Sequence, residues 1–116
     1  MLVGSVLALV NKGRHDDDEF NATLRSALDN ALLALGGIVR EAIYENLETR
    51  FQVRREEILE KPQAFHEGLQ QLLGRGSAVI ERQAMKNLYS RLGLDFAEHN
   101  SWTLVEYVNN AMKRFA

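Results

Sequence analysis

Apolar residues recur at three- and four-residue steps through most of this chain, and nowhere do they alternate for long enough to argue for a strand. Phe20, Leu24, Ala27, Leu28, Ala31, Leu32 and Leu35 fall on one broad helical face. Gly36 and Gly37 end that run, since each glycine costs about 1 kcal/mol in a helix interior. Ile38, Ala42, Ile43, Leu47 and Phe51 form the next stripe, and the charged stretch that follows, pinned by Val53, Ile58 and Leu59, reads as a short connecting helix. Pro62 suits the first turn of a helix, so a new one begins there with Phe65, Leu69, Leu72 and Leu73 facing inward. After Gly74-Arg75-Gly76, Ser77 is placed to cap a longer helix carrying Val79, Ile80, Ala84, Leu88, Tyr89 and Leu92, which Gly93 stops in the left-handed conformation. Asn100 or Ser101 opens the final helix, with Trp102, Leu104, Val105, Val108, Met112 and Phe115 as its stripe. The predicted fold is all-α, a compact bundle of about five to six short helices in one domain over residues 1–116.

One phrase occurs twice. Phe20-Leu24-Leu28 returns as Phe65-Leu69-Leu73, 45 residues on, and Asn46-Leu47 returns as Asn87-Leu88, 41 residues on. Each copy reads as helix, glycine break, helix. The two offsets differ by four residues, about one helical turn, which preserves the buried face. Duplication of a helix-turn-helix pair explains this, and so does the general likeness of amphipathic helices.

Two segments stand apart from the stripes. The apolar run from Met1 to Val10 is too short to span a bilayer, which takes about 20 residues. It also has Lys12 and Arg14 on the wrong side for a secretory signal. It reads as a helix or strand that covers the core or a partner, and residues 1–15 are left as an unassigned N-terminal segment. His15-Asp16-Asp17-Asp18-Glu19 reads as a polar break whose carboxylates cap the helix after it.

Composition narrows the functional classes. The absence of cysteine excludes disulfides, zinc ribbons and thiol chemistry, and fits a cytoplasmic setting. A net charge of −2 provides no global attraction to nucleic acid or to an anionic membrane. Gly74-Arg75-Gly76-Ser77, at the mouth of a helix, has the form of an anion cradle, because free amides and partial positive charge meet there. The nucleotide signature is incomplete, with no Gly-Lys-Ser/Thr and no preceding strand, so a plain interhelical turn is the leading reading. The same two helices also have helix-turn-helix form, and Arg75, Gly76, Arg82 and Lys86, with Arg91 beyond them, are the candidate anion or nucleic-acid contacts. Arg50, Arg54 and Arg55 form a second basic cluster, expected to pair with Glu56, Glu57 and Glu60.

No catalytic constellation emerges. His15 neighbours aspartates without a partner at ligand spacing, and His66-Glu67 and Glu98-His99 are adjacent pairs that point apart on a helix. No serine carries a nucleophile signature, and no cofactor or metal is expected. Phe65, Tyr89, Trp102, Tyr107 and Phe115 read as packing residues.

The run Pro62-Gln63-Ala64-Phe65-His66-Glu67-Gly68-Leu69, then Leu73-Gly74-Arg75-Gly76-Ser77-Ala78, Ile80-Glu81 and Leu88-Tyr89-x-x-Leu92-Gly93-Leu94 resembles the small archaeal helical module known as the Nitrosopumilus-type output domain. The likeness spans roughly residues 20–115 and lies in pattern. It implies a non-enzymatic signal-output or interaction module in the cytoplasm and transfers no functional residue. The expected partner is protein, most simply a second copy through apolar helix faces, with no membrane partner. Nucleic-acid binding is the alternative.

Overall fold

The computed structural model describes residues 2–115, with side chains from residue 18 onward. The described residues form five helices and no strand: α1 (Leu2–Leu33), α2 (Gly37–Phe51), α3 (Pro62–Leu73), α4 (Gly76–Arg91) and α5 (Leu104–Phe115). A single 3₁₀ turn, Arg55–Glu57, lies between α2 and α3. The chain is therefore the small all-α bundle its periodicity predicts. α1 packs along α4, α2 lies on α3, and α5 crosses both α3 and α4. Phe20, Leu24, Leu28 and Leu32 on α1 meet Leu47, Phe65, Leu69, Met85, Leu88 and Val108 in one continuous core. None of the described helices is long and apolar enough to cross a membrane.

The helix ends follow from local chemistry. At the end of α2, Gln52 adopts φ 56°, and the amide of Val53 donates to the carbonyl of Leu47 at 3.0 Å. This is a left-handed cap, and both Val53 and Leu47 are buried. Gly93 closes α4 at φ 71°, as its position predicts. Thr103 opens α5 with a reciprocal cap: its hydroxyl accepts the Val105 amide at 3.2 Å, and the Glu106 carboxylate accepts the Thr103 amide at 2.6 Å.

Several expectations are corrected. α1 runs unbroken through His15 to Glu19, because acidic residues reduce helix propensity by only tenths of a kcal/mol each and no proline lies there. Whether the Met1 to Val10 side chains cover core or partner lies outside the described residues. The α2–α3 connection is a 3₁₀ turn rather than a helix, held by burial of Val53 and Ile58. Its charges pair differently from expectation, Arg55 reaching back to Glu41 and Lys61 meeting Glu57 at 3.5 Å. The final helix starts at Leu104, because the Thr103–Glu106 pair caps there and not at Asn100 or Ser101. Ser77 lies inside the first turn of α4 without capping it, the cap position being Arg75. The buried stripe of α2 is Ile43, Tyr44 and Leu47, which leaves Ala42 exposed and Ile38 88% exposed.

Candidate functional site

The strongest concentration of polar groups with restricted access to water lies where α3, α4 and the segment before α5 converge. His66 extends from the inward side of α3, and Glu81 stands one turn beyond Ser77 on the buried side of α4. The Nδ1 of His66 lies 2.7 Å from Oε2 of Glu81, and the two residues are only 8% and 6% exposed. Burial pushes the Glu81 carboxyl above its usual range, opposed by its bond to His66. A carboxylate only accepts, so Nδ1 carries the donated proton.

A hollow of about 430 Å³ opens above this pair. Ser77, 3% exposed, lines it. Opposite stand aromatic rings. His99 stacks on Trp102 with centroids 3.8 Å apart, Trp102 meets Tyr107 edge to face at 5.1 Å, and the Tyr107 hydroxyl accepts the His99 amide at 2.8 Å. Arg82 and Glu98 form an ion pair at the rim. The hollow falls within the size range of small-molecule sites. Among the described residues no group of three metal-ligating side chains occurs.

The opposite feature, an apolar surface, lies where the two glycine turns meet. Leu35, next to Gly36, reaches a shallow hollow shared with Leu73, Gly76, Val79 and Ile80. Val79, which lines it, is 68% exposed, and Ile38, three residues on from Leu35, is 88% exposed, with Leu33 and Val39 also exposed. Ile38 and Val79 were both assigned by periodicity to buried stripes. Of the same predicted stripes, Ile43 and Ile80 are buried as expected.

The sequence-predicted contacts are only partly brought together. Arg75, Arg82 and Lys86 share the exposed side of α4, seven and four residues apart, while Arg91 lies on another face and binds Ser26 of α1 and Asn87. Arg82 is engaged with Glu98. Gly76 begins α4 and borders the apolar hollow. The amides of Ser77 and Ala78 donate to Gly74 and Arg75 at 3.1 and 3.3 Å, so the turn spends these donors on itself. His66 with Glu81 was missed, because His66 was weighed only against its neighbour Glu67. A signal was present: Glu81 falls at helical spacing in the row of Ala84 and Leu88, an apolar side where a charge needs a partner.

No family model, curated protein or solved structure matches this chain.

Proposed function

We propose that this chain is a non-catalytic helical interaction module of the signal-output kind, working in the cytoplasm as a homodimer through the apolar surface at its paired turns. The observation that carries the reading is the exposure of Val79 in an apolar hollow that Leu35 reaches, with Ile38, three residues on from Leu35, 88% exposed. A projecting residue and a recess on one patch form a self-complementary pair, which a two-fold axis satisfies twice over. Grouped apolar side chains at this exposure are costly to leave in water and mark interaction surfaces. The resemblance to Nitrosopumilus-type output domains supports the signalling part of the reading.

Sedimentation equilibrium tests it. The native chain is expected to show mass rising with concentration toward twice 13.2 kDa, and Ile38→Glu with Val79→Glu to hold it at one chain without loss of helicity. A native chain that stays monomeric at high micromolar concentration overturns the reading. Nucleic-acid binding through Arg75, Arg82 and Lys86 has weaker support, since Arg82 is paired with Glu98 and Arg91 is held against α1. Steeply salt-dependent DNA binding lost on Lys86→Glu would replace the homodimer reading with this one.

A further inference from the structure

We propose that the hollow over His66 and Glu81 binds a small aromatic cation, an amine or amidine on a planar ring, with Ser77 and the His66–Glu81 pair receiving the cationic end and Trp102 receiving the ring.

The floor is built from acceptors. The Glu81 carboxylate can only accept, and the Nδ1 of His66 is committed to it at 2.7 Å. The Ser77 hydroxyl completes the set. His66, Ser77 and Glu81 are each more than nine-tenths buried, and all three line the hollow, so a ligand bearing several N–H donors meets the Glu81 carboxylate and the Ser77 hydroxyl together.

Charge points the same way. The lining holds two carboxylates, Glu81 and Glu98, against one guanidinium, Arg82. An anion finds little to bind. The α4 start has already spent the Ser77 and Ala78 amides in the turn, and the α5 start has spent those of Thr103 and Val105 in its cap. The wall supplies the remaining specificity, because an indole face attracts a cation or stacks a ring carrying one, and Tyr107 holds that indole edge to face. None of these residues lines the apolar hollow at the paired turns, so the proposal stands or falls separately from homodimerisation.

Benzamidine is the probe, with benzoate as its anionic counterpart of the same shape. Titrated into the full chain and followed by amide and side-chain NMR, benzamidine is expected to saturate in the millimolar range or below and to shift the resonances of His66, Ser77 and Trp102. Benzoate is expected to leave them in place. Glu81→Gln should weaken benzamidine by roughly tenfold, as loss of a charge-assisted contact predicts. If that variant does not fold, Trp102→Leu at the half-buried rim should still weaken binding several-fold while the helical spectrum is retained. Failure of benzamidine to saturate, equal or tighter binding of benzoate, or affinity untouched by Trp102→Leu overturns the proposal.

Discussion

A β-carbon added to Gly68 would stand 2.7 Å from Cδ2 of Leu47, so α3 crosses α2 with no room for one methyl group. The ring of Phe51 closes the same side at 3.1 Å, and Leu47 is itself buried and not free to swing away. Gly68→Ala gains about 1 kcal/mol of helix propensity but overpacks the crossing by roughly 1–3 kcal/mol. The expected net result is a loss of stability by urea unfolding. In a double-mutant cycle, Leu47→Ala should relieve most of the alanine's penalty, and additive costs would show that the crossing is not the cause.

Gln52 is the one non-glycine residue with positive φ among those described. Its backbone geometry suits glycine, and the left-handed region costs a residue with a β-carbon roughly 1–2 kcal/mol, part of which returns as unfolded-state entropy when glycine replaces it. Gln52→Gly is expected to stabilise the chain by about 0.5 kcal/mol. A lower melting temperature would contradict this assignment of strain.

Tyr89 is buried, and its hydroxyl donates to the Tyr107 carbonyl at 2.6 Å and accepts from Asn110 at 3.0 Å. Tyr89→Phe leaves both partners unpaired at an expected cost of about 1–2 kcal/mol. Asn110→Ala, removing the more accessible partner, should cost less. The two chemical denaturation curves decide the order.

Acid stability carries the signature of the α5 cap. The Thr103 amide, bonded to Glu106, holds that carboxyl below its ordinary value of 4.5. A depressed carboxyl contributes stability above its unfolded value, and that contribution fades as pH falls through the folded one. Glu106→Gln should therefore lower stability by about 0.5 kcal/mol at neutral pH, and the gap to the native chain should close below 4.5. A gap that persists unchanged into acid would mean that the charge contributes nothing.

The fold was legible because its signals are redundant. Phe20, Leu24, Leu28, Phe65, Leu69 and Leu88 combine helical spacing with core burial, and Gly36, Gly74 and Gly93 all mark breaks with positive φ. Ile38 and Val79 misled because periodicity registers which residues are apolar, while register against neighbouring helices decides which of them turn inward, as Ile80 does beside Val79. The candidate site was nearly invisible for a related reason. His66 and Glu81 are 15 residues apart on different helices, and only the packing of α3 on α4 makes them a pair. The tie from Arg55 back to Glu41 and over the Tyr44 ring at 4.0 Å was equally out of reach, since it depends on how the 3₁₀ turn folds against α2.

The stack of His99 on Trp102 involves the single tryptophan of the chain. Its indole is therefore an optical gauge that no labelling need supply. Excited at wavelengths that the three tyrosines do not absorb, the molecule emits from one place, the rim above His66 and Glu81, and an imidazole in van der Waals contact with the excited ring governs its brightness. Whatever parts those two planes, a guest entering the hollow or a slackening of the segment before α5, changes the colour or intensity of that light, while events confined to the glycine turns leave it dark to the observer.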